Sequence, residues 1–141
     1  MTQHSGRCLC GAVTYTINAE LTMARVCWCR ACQHIASNGT VNALAPTDAV
    51  SVSGELSTFT ATADSGNEIQ RRFCPQCGCH LFANSSGRPQ FTVVRLGTLD
   101  DPSSVPPTMN IWAQNAPSWA CLDPALTRIE GQPAPPRPAG Q

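Results

Sequence analysis

Eight of the nine cysteines in this 141-residue chain fall into three short clusters, and clustered thiols either bind a metal ion or form disulfides. An odd number of cysteines rules out complete pairing within one chain. The polar N-terminus contains no recognisable secretory signal, so we expect a cytoplasmic protein, where disulfides are rare. The sequence therefore favours bound zinc over a disulfide or redox arrangement. The clusters are Cys8-Leu9-Cys10, Cys27-Trp28-Cys29-Arg30-Ala31-Cys32 and Cys74-Pro75-Gln76-Cys77-Gly78-Cys79.

The first and third clusters have the form of tight metal-binding turns. In the third cluster Pro75 fixes φ, and Gly78 permits the positive φ with which the chain leaves the turn. The first cluster has one residue between its thiols and is also followed by a glycine. A tetrahedral zinc with Zn–S bonds of about 2.3 Å is fully coordinated by two such pairs. We therefore expect one closed site, formed by Cys8, Cys10, Cys74 and Cys77.

The second cluster offers only three local thiols, Cys27, Cys29 and Cys32. Three protein ligands and one open position are typical of a catalytic zinc, whereas a closed set of four is typical of a structural one. The contrast between the two sets predicts one zinc of each kind. The alternative is that Cys79 or Cys121 closes the second site, so that both zinc ions are structural.

The rest of the chain predicts a mainly β fold, a small antiparallel sheet pair with one short helix after the second cluster. Short segments rich in Val, Thr and Phe alternate with turn residues, which is typical of such sheets. The helix is expected at Arg30–Ser37, ended by Asn38-Gly39 as a C-cap, and Asp100–Pro107 is expected to be a loop. The predicted strands are Ala12–Ile17, Ala24–Trp28, Thr40–Leu44, Ser57–Thr62, Glu68–Phe73, His80–Ala83, Gln90–Leu96 and Thr108–Trp112.

Composition excludes several classes of function. Charged residues make up 13% of the chain, the formal net charge is zero, and there is no lysine. A lysine Schiff base is therefore impossible, and no apolar segment is long enough to span a membrane. The balanced net charge gives no electrostatic sign of nucleic-acid binding, which would favour a basic face. We expect a single zinc domain over residues 1–131 and a Pro-rich disordered tail over residues 132–141. Oligomeric state is not predicted.

The three clusters together resemble the glutathione-dependent formaldehyde-activating enzyme family, which shares its domain with centromere protein V. The resemblance covers about Ser5 to Gly131 and is carried by the segments Gly6–Val13, Cys27–Gln33 and Phe73–Gly78. It implies the zinc-bound β fold called a β-tent. The chain departs from the family at three positions. Trp28 and Asn110 stand where histidine is frequent, and Cys79 stands where threonine or serine is usual.

The resemblance also implies residue roles and an activity. Cys8, Cys10, Cys74 and Cys77 become structural zinc ligands, and Cys27, Cys29 and Cys32 become ligands of a catalytic zinc. The implied enzyme is a carbon–sulfur lyase, similar to S-hydroxymethylglutathione synthase, that joins a thiol such as glutathione to formaldehyde or a related small electrophile. Arg30 is our candidate for binding a substrate carboxylate. The alternatives are a non-enzymatic, zinc-stabilised binding module and a zinc enzyme that acts on another electrophile or thiol.

Overall fold

The structure is a computed structural model that describes residues 2–134. Within these residues the chain is mainly β, with two sheets and one α-helix, as the sequence predicts. The predicted tail over residues 132–141 lies for the most part outside the described residues, and the single-domain boundary stays a prediction. None of the helices in residues 2–134 combines the length and the apolar character that crossing a membrane requires.

The chain divides into two compact units, of which the first contains the residues up to Thr22 together with Ala43–Val105. Its three-stranded antiparallel sheet has the order β1-β2-β5. Strand β2 alternates buried and exposed residues, and Tyr15 and Ile17 face the core. Gly6 of β1 lies against Tyr15, where any Cβ would overlap the tyrosine ring. The strands are β1 (His4–Arg7), β2 (Thr14–Ile17) and β5 (Val50–Ser53).

The first unit also contains four neighbouring strands of the larger sheet, in the order β9-β8-β7-β6. Phe82 of β8 is fully buried and meets Tyr15 edge to face, with ring centroids 5.0 Å apart. The register of β7 against β8 shifts between Arg72 and Phe73, next to the third cysteine cluster. The strands are β6 (Ser57–Thr62), β7 (Glu68–Phe73), β8 (His80–Ser85) and β9 (Phe91–Arg95), and β4 (Thr40–Pro46) has residues in both units.

The second unit contains Met23–Asn42 and the residues from Pro106 onwards. Its central strand β10 pairs in parallel with β3 on one side and β11 on the other, so the predicted sheets are not antiparallel throughout. Parallel neighbours require long connections, and the segments that separate these strands in sequence are long enough to provide them. The elements are β3 (Thr22–Cys27), whose first residue belongs to the first unit, α1 (Arg30–Ala36), β10 (Met109–Ile111) and β11 (Thr127–Arg128).

Helix α1 confirms the predicted helix, but its C-cap differs from the expected one. Ser37 adopts the left-handed conformation, with φ of 57°, and its N–H bonds to the carbonyl of Gln33. Asn38-Gly39 is therefore not the cap. Gly39 is instead required by packing, because a Cβ there would lie 2.6 Å from the Val26 side chain and 3.0 Å from the Trp28 ring.

Candidate metal centres

The four thiols of the first and third clusters meet in the first unit. The sulfur atoms of Cys8, Cys10, Cys74 and Cys77 all lie within 4.8 Å of one another. Cys10 Sγ is 3.7 Å from Cys8 Sγ and 3.8 Å from Cys74 Sγ. Tetrahedral zinc with Zn–S bonds of about 2.3 Å needs sulfur atoms separated by about 3.8 Å. The thiols therefore fit a closed metal site without rearrangement.

Backbone N–H groups orient the two buried thiols of this set. Val13 N–H points at Cys8 Sγ at 3.3 Å, and Gln76 N–H points at Cys74 Sγ at 3.4 Å. Each turn leaves through a glycine with positive φ, 82° at Gly11 and 75° at Gly78. The local geometry is that of the two predicted metal-binding turns. The same geometry explains why glycine follows each pair, since a left-handed conformation is strained for a residue with a side chain.

The thiols of this set differ in pKa. Burial opposes ionisation of Cys8, but the Val13 N–H and the neighbouring thiols hold its pKa at about 6. At Cys10 the Ala12 backbone favours the thiolate, yet desolvation and the surrounding thiols raise its pKa to about 11. Four thiolates so close together repel one another, and a divalent cation removes that repulsion. The donor set therefore matches a soft cation such as zinc.

The second cluster lies in the second unit, where β3 ends and α1 begins. The sulfur atoms of Cys27, Cys29 and Cys32 lie within 4.8 Å of one another. Cys29 is the N-cap residue of α1, and its Sγ accepts the N–H of Cys32 at 3.3 Å. The start of the helix therefore fixes the position of the middle thiol. Within residues 2–134 no further Cys, His, Asp or Glu side chain joins this set of three.

Mutual repulsion and burial act on the thiols of the second cluster. The pKa of Cys27 is raised, chiefly by Cys29 and Cys32, and by its own burial. Cys27 favours the thiolate of Cys29, but Cys32 and burial leave the pKa of Cys29 raised as well. Without a cation Cys27 and Cys29 therefore hold their protons to higher pH than an exposed cysteine does. Metal binding here must displace those protons.

An apolar wall lies beside the second cluster. Cys27, Cys32 and Ile111 are buried together, and partly buried apolar side chains pack against them. One of these side chains belongs to Trp112, whose φ of 52° is left-handed, an uncommon conformation for a bulky residue. Such a wall limits the access of water to the thiols. The packing residues are Cys29, Met109, Trp112 and Ile129.

Trp28 and Asn110, which stand where histidine is frequent in the family, form a hydrogen bond with each other. The indole N–H of Trp28 donates to Asn110 Oδ1 at 3.0 Å, and each residue is only 3% exposed. The backbone N–H of Trp28 donates to the carbonyl of Ile111 at 3.0 Å. Neither an indole nor an amide titrates near neutral pH, so this pair transfers no proton. Its contribution is to fix the loop between Cys27 and Cys29.

Replacing Trp28 by Phe tests this buried hydrogen bond. The variant keeps a large aromatic ring but leaves Asn110 Oδ1 without its partner, which costs about 1–3 kcal/mol. We expect the free energy of unfolding to fall by that amount in denaturant titrations of the metal-loaded protein. The double variant Trp28→Phe/Asn110→Leu removes both polar groups and should recover part of the loss. Unchanged stability in Trp28→Phe would contradict a structural role for the bond.

The remaining candidates lie on the surface or outside the two sets. Arg30, the candidate for a substrate carboxylate, is the exposed first residue of α1, and its Nη1 donates to Gln33 Oε1 at 2.6 Å. Cys79 is half-buried, and its thiol donates to the carbonyl of His80 at 3.7 Å. Cys121 is exposed, and neither Cys79 nor Cys121 belongs to either set.

A known protein family matches the part of the chain that contains both sets of thiols. The model of the glutathione-dependent formaldehyde-activating enzyme family matches residues 3–115. The chain belongs to this family. The matched region contains all seven cysteines of the two sets, and the family match agrees with the resemblance seen in the cysteine spacing. No curated protein matches the chain.

A solved structure supports the fold of this family member. A crystal structure of a Rhodobacter sphaeroides protein is similar, with a TM-score of 0.57 and 21% sequence identity. The similarity covers 71% of this chain and 93% of the other. At this identity the likeness shows the fold alone. The family match, by contrast, suggests formaldehyde and a glutathione-type thiol as substrates. Each of the two sets of thiols could hold a metal ion.

Proposed function

We propose that this chain is a zinc-dependent enzyme of the carbon–sulfur lyase type, which adds a thiol such as glutathione to formaldehyde or a related small electrophile. The observation that carries the proposal is the contrast between the two thiol sets. One set has four sulfur atoms, whereas the other has three and lies beside an apolar wall. Closed sets suit structural zinc, and open sets suit catalytic zinc. Membership of the family supplies the thiol and the aldehyde as candidates.

The proposal gives the two sets different roles, with a zinc ion in each. Cys8, Cys10, Cys74 and Cys77 would hold a structural zinc, and Cys27, Cys29 and Cys32 would hold the catalytic one. A catalytic zinc would supply a coordination position at which a substrate thiol is held as its thiolate. The new carbon–sulfur bond forms as the carbonyl π electrons move to oxygen, which takes up the proton that the thiol released.

The protein's own groups orient the reactants and limit the access of water. The apolar wall beside the three thiols would shield the reacting atoms from water. A thiolate bound to zinc is no more nucleophilic than a free thiolate, so the acceleration would come from holding it next to the carbonyl carbon. Arg30 would bind a substrate carboxylate. Its contact with Gln33 uses one guanidinium nitrogen, and a guanidinium carries further N–H donors. The proposal includes a cytoplasmic location. The proposed partner is a small thiol, and neither a nucleic acid nor a membrane is proposed as a binding partner.

Exchange spectroscopy by NMR tests the activity, with isotopically labelled formaldehyde and glutathione mixed with the zinc-loaded protein. We expect the protein to accelerate the interconversion of formaldehyde and its thiol adduct. Cys29→Ser keeps a capping oxygen at the start of α1 but removes one thiolate, so the rate should fall to that without protein. Cys121→Ser is the matched control, because this exposed thiol lies outside both sets.

The result separates the proposed enzyme from the alternatives. A folded, zinc-loaded protein that accelerates no thiol addition, with glutathione or any other small thiol, would favour the zinc-stabilised binding module. Acceleration with another thiol or another electrophile, but not with glutathione and formaldehyde, would keep the enzyme and change its substrate. Acceleration by Cys29→Ser equal to that of the unmodified chain would remove the second cluster from the reaction.

A further inference from the structure

The side-chain amide of Gln33 joins three segments of the second unit. Its Nε2 donates to the carbonyl of Trp28 at 2.8 Å and to the carbonyl of Asn115 at 2.9 Å. Its Oε1 accepts from Arg30 Nη1 at 2.6 Å. The cysteine loop, helix α1 and the turn after β10 are therefore connected through one side chain.

These contacts require an amide at this position. Two carbonyl oxygens face the terminal nitrogen, and carbonyl oxygens can only accept hydrogen bonds. A guanidinium faces the terminal oxygen, and a guanidinium can only donate. The orientation of the amide is therefore fixed by its partners. A glutamate at position 33 would place a carboxylate oxygen against two carbonyls and lose both donated bonds.

The segments that Gln33 connects are those that shape the three-thiol set. Trp28 lies between Cys27 and Cys29 in the chain, so a hydrogen bond to its carbonyl restrains the backbone next to both cysteines. The backbone N–H of Gln33 also donates to the carbonyl of Cys29 at 3.0 Å. Asn115 bonds back to the carbonyl of Trp112, a residue that packs against the buried thiols.

We propose that Gln33 is a positioning residue, which holds Cys27, Cys29 and Cys32 in the arrangement that binds the metal. This inference rests on the proposed metal site at the three thiols. A set of three ligands has less geometric constraint than a closed set of four, so its shape depends more on the hydrogen bonds that support it. Groups that orient metal ligands contribute about 10- to 100-fold to metal affinity. We expect an effect of that size from Gln33, confined to the second cluster.

Metal titration of three variants tests the inference. Gln33→Glu and Gln33→Met both lose the two donated bonds, one with an added charge and one without. Gln114→Glu is the matched control, because it adds the same charge at an exposed position of the turn that contains Asn115. Zinc affinity is measured by competition with a chromophoric chelator, and the thiolate absorption bands of the cobalt-loaded protein report the geometry.

The expected result is specific to one cluster. In both Gln33 variants the affinity of the second cluster should fall about 10- to 100-fold with altered cobalt bands, whereas the first cluster and Gln114→Glu should keep their affinities. Unchanged affinity and bands in both Gln33 variants would overturn the inference. So would an equal loss at both clusters, which would indicate general destabilisation, or a second cluster that binds no metal in the unmodified chain.

This measurement is independent of the proposed activity, since neither thiol nor aldehyde is present. An unmodified protein that binds both metals but adds no thiol to formaldehyde would remove the proposed function and leave the role of Gln33 standing. Conversely, an active protein whose Gln33 variants keep full metal affinity would leave the function standing and remove the positioning role.

Discussion

Cys74→Ala is expected to leave a protein that is insoluble or lacks fixed tertiary packing, whereas Cys29→Ser is expected to leave a folded one. Cys74 is fully buried, and its sulfur joins the turn before β8 to the loop between β1 and β2. A structural zinc contributes about 10–16 kcal/mol of apparent binding free energy, and the net stability of a domain is only about 5–15 kcal/mol. Losing that zinc therefore removes as much free energy as the whole fold retains.

The second cluster should respond differently because its thiols are local to one loop. Cys27, Cys29 and Cys32 lie within six consecutive residues, so a metal there constrains little chain. Cys29→Ser should bind one zinc ion fewer and keep the near-ultraviolet circular dichroism of the unmodified protein. Metal analysis and circular dichroism on both variants provide the measurement. Cys79→Ala is the control for Cys74→Ala, since Cys79 lies in the same turn but outside the set of four.

Two outcomes would contradict this distinction between the sites. Equal loss of folding in Cys74→Ala and Cys29→Ser would show that both metals support the fold. A Cys74→Ala variant that unfolds cooperatively at the temperature of the unmodified protein would show that the four-thiol set is not structural. The control should keep both zinc ions, because its thiol is not among the four that meet.

The cysteine spacing predicts each cysteine turn because the residues that shape the turn are neighbours in the sequence. The first and third clusters lie 64 positions apart, and their meeting follows from the four ligands that a closed zinc site needs. Pro75 and the glycines after each pair dictate turns whose N–H groups reach sulfur, whatever the rest of the chain does. Strands β6 and β7 were equally predictable, since Ser57–Thr62 is rich in Thr and the turn residues Ser65-Gly66-Asn67 separate it from Glu68–Phe73. For such segments, local preference and tertiary context agree.

Features that depend on distant partners were not predictable. Strand β1 (His4–Arg7) has no apolar alternation and is a strand because β2 pairs with it. The hydrogen bonds from Trp28 to Asn110 and from Gln33 to Asn115 each join residues 82 positions apart. The parallel pairing of β10 with β3 is likewise a long-range result. Without the fold, the sequence shows Gln33 only as a polar residue after a cysteine.

The second cluster is expected to lose its zinc to a chelator before the first cluster does. Three ligands bind zinc less strongly than four, and the raised pKa values of Cys27 and Cys29 mean that protons compete with the metal. At the first cluster the pKa of Cys10 is raised, but those of Cys8 and Cys77 are lowered, so protons compete less with the metal at those two thiols. Lowering the pH should therefore widen the difference, because each displaced proton changes the apparent affinity about tenfold per pH unit.

Exposure acts in the opposite direction on the rate of zinc loss. Each cluster has two buried thiols and one half-buried thiol, but the first cluster also has the exposed thiol of Cys10. A chelator would therefore reach the first cluster faster, although that cluster holds its zinc more tightly at equilibrium than the second cluster does. The titration must be slow enough to reach equilibrium at each step, so that affinity and not access decides the order.

Glutathione should protect the second zinc in the same titration, because its thiol would fill the open position and become a fourth ligand. The matched control is S-methylglutathione, which keeps both carboxylates but has no free thiol. Protection by glutathione alone would show that sulfur coordinates the metal, and equal protection by both would show that the carboxylate contacts dominate. Loss of both zinc ions together, unaffected by glutathione or any other small thiol, would remove the open coordination position. The three thiols would then have no place for a substrate, and the zinc-stabilised binding module would be the better description of this chain.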